Sequence, residues 1–452
     1  MRLKDNTPIL RDELVRKYPN EKIDFGELKD ISNITIRGIQ QNKYPNIFVF
    51  PQKANTYKDD ILSSKIFLLS ENELKTGNIM GFIGLNNTDI TISSRFIENE
   101  KEDYFLYYML QKVLSINVSS LKHSGGNDDI WELLIFLFPL YLNNALGQGL
   151  YKEYKYNEYN DANVRGIIDV KRHIQKNIPF TGKVAYSTRE YSYNNPITQI
   201  IRHTIEFIKA HEWGGNILTG DTVTTMNVNK IILATSTYNR NSRQKTININ
   251  RKKPVVHPYF TEYKTLQRLC LRILCNEKVA YNSENEKIHG ILFDGAWLWE
   301  EYLNTILSKK SFIHPKNKTG EGKRFLFWDE DKMTNEIYPD FYKEPPYPII
   351  ADAKYKHLDE KTDNSDFYQM ISYMHRFETK KGYLLFPYPG KYPPKTKNLL
   401  KGFDDQIGDD KVTLYGVQIP QNCSEDSDFQ SGYSKFRIKM KDTEDNLIKD
   451  II

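Results

Sequence analysis

The stretch Ile337-Tyr338-Pro339-Asp340-Phe341-Tyr342-Lys343-Glu344-Pro345-Pro346-Tyr347-Pro348-Ile349-Ile350-Ala351-Asp352-Ala353-Lys354 carries the densest pattern in this chain. Strand signals run through Glu336–Tyr342 and Tyr347–Tyr355, and the turn Lys343-Glu344-Pro345-Pro346 joins them as a hairpin. Side chains two apart on a strand share a face, so Asp352 and Lys354 point the same way. The hairpin brings Asp340 alongside. Ile349, Ile350 and Ala351 anchor the strand, so the charged pair emerges at its end, where a site can open.

Hydrolysis of a phosphodiester needs parts of this kind. Two carboxylates can hold one or two Mg²⁺, a hard ion that takes a few oxygen ligands and keeps its waters. The metal activates a water and neutralises charge on the phosphate, and a lysine orients that water or stabilises developing charge. A bare Asp-x-Lys also suits a solvated ion pair on an edge strand. Asp366-Phe367-Tyr368-Gln369-Met370-Ile371-Ser372-Tyr373 adds weight to the first reading: Gln369 and Tyr373 lie four apart on one helix face, directly after the Asp-x-Lys strand. In the helix before the hairpin, Glu300 or Glu301 could supply a further carboxylate; we take Glu300, with Asp340 and Asp352, as the candidate metal set.

Working outward, a helix is predicted over Phe293–Ser308, with Trp299, Leu303 and Ile306 on one face. Strands follow at Arg324–Trp328, Glu336–Tyr342 and Tyr347–Tyr355. A helix at Ser365–Phe377 buries Phe367, Met370, Ile371 and Met374, and strands at Gly382–Phe386 and Val412–Gln418 close the region. The order is α-β-β-β-α-β-β. Upstream, Ile34–Ile36 and Ile47–Phe50 read as strands, Met80–Leu85 and Ile90–Ile92 as a hairpin turning at Asn86-Asn87, and Tyr104–Val113 and Trp131–Ala145 as helices. Asn157–Asn163 reads as a boundary or long loop. Helices begin at Asn195-Pro196 and span Leu266–Leu274; the polar, basic stretch 237–254 between them reads as a solvated loop, and 282–290 as a linker.

The 452 residues exceed one ordinary core, and 39% hydrophobic with 27% charged residues is globular composition. A net charge of +5 permits nucleic-acid binding without demanding it. The 30 tyrosines are not read as a stacking surface. Cys270, Cys275 and Cys423 form no CxxC or zinc-ligand spacing. Met1-Arg2-Leu3-Lys4-Asp5 lacks a signal-peptide pattern, and the apolar run Leu133–Leu142 is too short to span a bilayer, so a cytoplasmic protein without a membrane partner is expected. His203, His357 and His375 have no supporting ligands nearby in sequence. Gly320-Glu321-Gly322-Lys323-Arg324 lacks the spacing and the Ser/Thr of a P-loop, so any nucleotide dependence belongs to a partner.

Residues 291–390, with Tyr338-Pro339-Asp340, Asp352-Ala353-Lys354 and Gln369-Met370-Ile371-Ser372-Tyr373, resemble the PD-(D/E)xK nuclease superfamily, the QxxxY element being shared with its RecB-like branch. More narrowly, Gly77–Ile92, Gly149–Tyr154, Arg165-Gly166-Ile167-Ile168-Asp169, Trp299–Leu303 and Ile350–Lys356 resemble the McrC family of McrBC- and LlaJI-type modification-dependent restriction systems. Where that family's pattern has Pro-Lys after the second hairpin strand, this chain has Ser94-Arg95. The resemblance implies a Mg²⁺-dependent DNA endonuclease subunit of an antiviral restriction system. It implies an AAA+ GTPase (McrB-like) hexamer as partner, which binds the GTP, recognises modified cytosine and receives the N-terminal region in its pore.

The expected fold is α/β and multidomain: a mixed α+β N-terminal region followed by a C-terminal PD-(D/E)xK, restriction-endonuclease-like αβββαβ core. The expected segments are 1–155 for partner binding, 156–285 mainly helical, and 286–452 for the nuclease. Asp340, Asp352, Lys354, Gln369, Tyr373 and Glu300 are the candidate catalytic residues. A non-catalytic activator of an AAA+ NTPase and a stand-alone DNA-repair nuclease are the alternative readings.

Overall fold

The computed structural model describes all residues except 20–22, 41–42, 45–46, 52–64, 86–87, 98–102, 115–126, 211–213, 276–287, 316–322, 359–361, 404–405 and 424–428. The expected turn at Asn86-Asn87 and the glycines at 320 and 322 lie outside the described residues. The chain is a mixed α/β protein with five sheets among the described residues. No helix there is long and apolar enough to cross a membrane.

Contacts group the chain into two compact units, 1–130 with 283–452, and 131–282. Residues 1–130 of the expected first segment thus group with the expected last one, and 131–155 with the middle one. The reason is strand Ile288–Asp294, which the sequence reading left partly in a linker. It pairs antiparallel with Ile79–Leu85 and parallel with Ile47–Phe50 inside the N-terminal sheet. That sheet runs in the order Arg2–Lys4, Thr88–Ser93, Ile79–Leu85, Ile288–Asp294, Ile47–Phe50. Its Ile83, Ile90, Ile92 and Leu292 belong to one buried cluster. The predicted hairpin is present, with Leu85 opposite Thr88. Ile34–Ile36 does not form a strand: Thr35 Oγ1 accepts the Gly38 N–H at 3.1 Å, and helix Ile36–Gln40 starts there.

Asp294 ends its strand and caps the next helix, Gly295–Leu307, accepting N–H bonds from Ala296 (2.8 Å) and Trp297 (3.1 Å). Trp299, Leu303 and Ile306 are buried as their spacing predicts. The helix leads to a second five-stranded sheet ordered Phe341–Lys343, Ile349–Ala353, Lys381–Pro389, Gln406–Ile419, Lys395–Lys401. The outer pairs are antiparallel and the two inner ones parallel. Leu384, Leu385 and Phe386 on the central strand are 0% exposed, each worth about 1.5–3 kcal/mol of burial. Helix Asn364–Arg376 packs on that strand where Gly382 leaves room, since a Cβ there would lie 2.6 Å from Met370 Sδ and 2.7 Å from Met374 Sδ.

Among the described residues four strands, not three, separate the two helices. The expected strand Glu336–Tyr342 is broken: Lys332–Ile337 pairs back on Arg324–Asp329 as a separate ribbon, and Phe341–Lys343 joins the main sheet. Pro339, which has no N–H to give a ladder, sits at the break.

The 131–282 unit corrects two further readings. Asn157–Asn163 lies largely in strand Glu153–Asp161, paired over nine residues with Val184–Ser192. This ribbon is largely solvated, so it shows no apolar alternation. The basic stretch 237–254 contains helix Arg243–Lys252. Beside Ile247 its buried residues are the polar Thr246 and Asn250; Asn250 donates from Nδ2 to Pro196 O (2.9 Å) and accepts at Oδ1 from Gln267 Nε2 (2.8 Å), so hydrophobic periodicity hardly marks it. Helices Pro196–Lys209 and Thr261–Cys275 stand where expected, the first with a capping box at Asn195.

Candidate functional site: a carboxylate and lysine corner

The hairpin register sets the site. Phe341 is opposite Ala351, so the next step outward puts Asp340 level with Asp352. Asp340 leaves the strand direction at the Pro339 break and turns inward, where its Oδ2 accepts the Ala353 N–H at 2.8 Å. Asp352 is 2% exposed, on a strand whose neighbours are apolar. Lys354 lies just beyond the last paired residue, its ammonium 2.5 Å from Asp352 Oδ2.

Helix Asn364–Arg376 closes the corner. Lys354 Nζ donates to Gln369 Oε1 at 2.9 Å, Gln369 Nε2 donates to Tyr373 Oη at 2.7 Å, and Tyr373 Oη–H donates to the Tyr338 carbonyl at 3.0 Å. This chain of donors runs from the lysine back to the Pro-Asp segment, so each end fixes the other. Five of the six candidate residues, Asp340, Asp352, Lys354, Gln369 and Tyr373, are therefore brought together.

Glu300 stands differently. Its Oε1 lies 3.7 Å from His314 Nε2, and Glu301 Oε1 lies 3.8 Å from the same atom. His314 donates from Nδ1 to the Asp340 carbonyl at 2.8 Å and stacks on Phe341 at 4.9 Å between ring centroids. Glu300 thus approaches the corner from beside an imidazole. Among the described residues no three His, Cys, Asp or Glu side chains gather as a metal-holding group. Of the expected set, Asp352 and Glu300 both act on the charge of Asp340.

The electrostatics mark the same corner. Burial first, then the charges of Asp352 and Glu300, push the Asp340 carboxyl well above the usual carboxylate range; Lys354 and the Ala353 N–H oppose this. Burial would lower the Lys354 ammonium, but Asp352, Asp340 and Asp366 outweigh it and hold it above its ordinary value. Tyr373 is pushed up by burial and by both aspartates. For His314, burial is outweighed by its bonds to Glu301 and the Asp340 carbonyl and by Glu300, and the ring is raised. Crowded carboxylates on one side, with a cation held beside them, suit a divalent ion with oxygen ligands. Asp340 and Asp352 fit that role by donor chemistry, with waters filling the rest of the shell.

Sequence reasoning missed Asp366, Lys356 and His314. Asp366, 6% exposed, lies 3.7 Å from Lys354 Nζ and 2.6 Å from Lys356 Nζ. Its signal was available, because Asp366, Gln369 and Tyr373 fall at i, i+3 and i+7 on one helix face. His314 had none: it arrives through the isolated bridge between Ile313 and Tyr342, a pairing no local pattern announces. Of the three histidines without ligands in sequence, His203 is buried against Ser242 and Tyr238, its pKa pushed down to about 4 by burial. His357 packs on Phe96, and His375 is exposed.

No curated protein matches the chain. Among solved structures it is similar to a chain of the refined half-complex from the tetradecameric assembly of Thermococcus gammatolerans McrB AAA+ hexamers with bound McrC. That match has 14% identity and a TM-score of 0.49, covering 98% of this chain and 99% of that one. It is also similar to a chain of the cryo-EM structure of the Thermococcus gammatolerans McrBC complex, at 14% identity and a TM-score of 0.34, covering 68% and 87%. The family described as McrBC 5-methylcytosine restriction system component matches residues 74–387, a span that includes every candidate site residue. With well over half of its 452 residues so matched, this chain belongs to the McrBC 5-methylcytosine restriction system component family.

Proposed function

We propose that this chain is the McrC-like, metal-dependent DNA endonuclease subunit of an McrBC-type restriction system, and that its second sheet with the flanking helices is a PD-(D/E)xK core. The observation that carries the reading is the convergence of Asp340, Asp352 and Lys354 at one sheet end, with Gln369 holding the lysine. The mixed sheet, antiparallel at the hairpin and parallel at its centre, supports the core assignment.

Asp340 and Asp352 would hold Mg²⁺, which supplies Lewis acidity toward the scissile phosphate and a more acidic water. Lys354, kept protonated by its carboxylate neighbours, is positioned to stabilise charge on the phosphate oxygens as it develops. Gln369 and Tyr373 keep the ammonium from swinging into solvent. Glu300 and His314 flank the corner and orient Asp340 through its backbone carbonyl. GTP binding and recognition of modified cytosine are assigned to an AAA+ GTPase hexamer, as family membership suggests.

Cleavage of methylated and unmethylated plasmid, with and without Mg²⁺, GTP and the partner, tests this. Asp340→Ala, Asp352→Ala and Lys354→Ala should each lose at least about a hundredfold in cleavage rate while still stimulating the partner's GTPase. Wild-type cutting by all three variants would overturn the site. The second reading, a non-catalytic activator of the NTPase, draws on the lack of a three-ligand group among the described residues. It requires that the wild-type chain stimulates the partner yet never nicks DNA with Mg²⁺ or Mn²⁺.

A further inference from the structure

Sheet pairing of the Asp-x-Lys strand ends at Ala353, opposite Leu385, and the Lys354 N–H still reaches Leu385 O at 2.8 Å. One residue later the ladder is gone, and a side chain directly following the hairpin of the N-terminal sheet takes over. Arg95 Nη2 donates to the Tyr355 carbonyl. The same guanidinium lies over the Tyr355 ring, 4.7 Å from its centroid, donates to Asn78 Oδ1 at 3.0 Å, and pairs with Asp5 Oδ2 at 3.4 Å. The Arg95 side chain is 7% exposed and that of Asp5 0%.

The Tyr355 ring is socketed as firmly. Its hydroxyl lies 3.0 Å from Ser94 Oγ and 3.2 Å from Met80 Sδ, its ring meets Phe96 edge-on at 5.1 Å, and Gly295 leaves room that a Cβ would fill at 2.6 Å. Met80 lies on the hairpin of the N-terminal sheet, and Ser94 and Arg95 directly follow its second strand, far in sequence from Lys354. A charged donor on a carbonyl is about twice as strong as a neutral one. A planar guanidinium with five donors can serve three acceptors at once, which an ammonium at that reach cannot.

We propose that Arg95 is a positioning residue for Lys354: by holding the Tyr355 carbonyl it fixes where the Asp-x-Lys strand ends, and with it where the lysine ammonium lies. The proposal rests on the nuclease reading for its consequence in cleavage, and on geometry alone for the placement of Lys354. The N-terminal sheet is then part of the catalytic body, because a residue directly following its hairpin sets the register of a side chain in the corner.

The test uses Arg95→Lys, which keeps a cation for Asp5 but loses the multiple donors, and Ser94→Ala, which loosens only the ring. Two readouts are taken on the full-length protein. Acylation of Lys354 by a small N-hydroxysuccinimide ester, followed by peptide mass spectrometry, reports the placement of the amine without any cleavage. It should rise several-fold in Arg95→Lys and less in Ser94→Ala, against an unchanged rate at the exposed Lys380. Cleavage should show kcat down by about ten- to a hundredfold in Arg95→Lys, with KM for DNA within about twofold. Unchanged Lys354 acylation in both variants overturns the proposal, as does a fall in activity matched only by a fall in the folded fraction. Raised acylation with no cleavage by the wild-type protein keeps the positioning role and sinks the nuclease reading instead.

Discussion

Asp5 and Asp340 are both carboxylates withdrawn from water within the same compact unit, yet their surroundings differ in kind. Asp5 faces the Arg95 guanidinium, accepts the Arg95 N–H at 2.6 Å, and has Asp103 as an acidic neighbour. Asp340 has Asp352 and Glu300 as acidic neighbours and shares the Lys354 ammonium with Asp352. The first cluster sets a guanidinium against its carboxyl groups. The second crowds Asp340, Asp352 and Glu300 around an ammonium. A buried pair contributes mostly by not being broken, whereas crowded like charges persist where function requires them. The difference separates the closed junction from the proposed site.

The sharpest way to break that contrast is to remove one member of each cluster and measure unfolding by denaturant without added metal. Arg95→Ala should cost about 1–3 kcal/mol, because it leaves the Tyr355 carbonyl and the buried Asp5 carboxyl without the guanidinium they share. Asp340→Asn should do the opposite and gain about 0.5–2 kcal/mol, because it removes a charge its neighbours oppose while keeping an acceptor for the Ala353 N–H. If both variants lose stability equally, the corner is a structural ion cluster like the junction, and the comparison collapses.

A pH titration of stability sharpens the junction side. Burial pushes Asp5 up to about 7, against the pull of Arg95. The folded protein therefore keeps a proton on Asp5 that the unfolded chain gives up near its ordinary carboxylate range. Between roughly pH 4 and 7 the native state binds more protons than the unfolded one, so stability falls as pH rises, by at most about 1.4 kcal/mol per pH unit for one group. Asp5→Asn should remove that share of the slope and leave the part due to Asp340 and Asp103, which shift in the same direction. Equal slopes in wild type and variant would show that Asp5 ionises freely in the fold.

The corner was far more legible than the junction. Asp352 and Lys354 announce themselves by a period of two after an apolar run, and Gln369 with Tyr373 by a period of four, because the site is built from neighbouring elements. The junction joins residues 5, 94 and 95 to 355, and nothing local in Ser94-Arg95 indicates a partner some 260 positions away. The same limit hid the place of Ile288–Asp294 in the N-terminal sheet, and thus the joining of the expected first and last segments. Helix Arg243–Lys252 was missed for another reason: beside Ile247 its inward face is polar and is bonded through Asn250. Hydrophobic periodicity reads cores that exclude water, and it fails where amides do the packing.

A further comparison sets side by side two glycines that make space for the two clusters. At Gly382 an added Cβ would meet Met370 Sδ at 2.6 Å and Met374 Sδ at 2.7 Å, the adaptable parts of side chains with three rotatable bonds. At Gly295 it would meet the Tyr355 ring at 2.6 Å, and that ring is held by its hydroxyl on one edge and by Arg95 over its face. Gly382→Ala should therefore cost about 1 kcal/mol, at the lower end of what overpacking does, with helix Asn364–Arg376 displaced slightly and cleavage reduced only modestly. Gly295→Ala should cost nearer 3 kcal/mol and raise Lys354 acylation, because the Tyr355 ring has nowhere to go without carrying its backbone along. Thermal melts and the acylation assay on the two alanine variants give the ranking. A larger loss at Gly382 than at Gly295 would mean that the methionine layer, not the tyrosine socket, is the stiffer support of the corner.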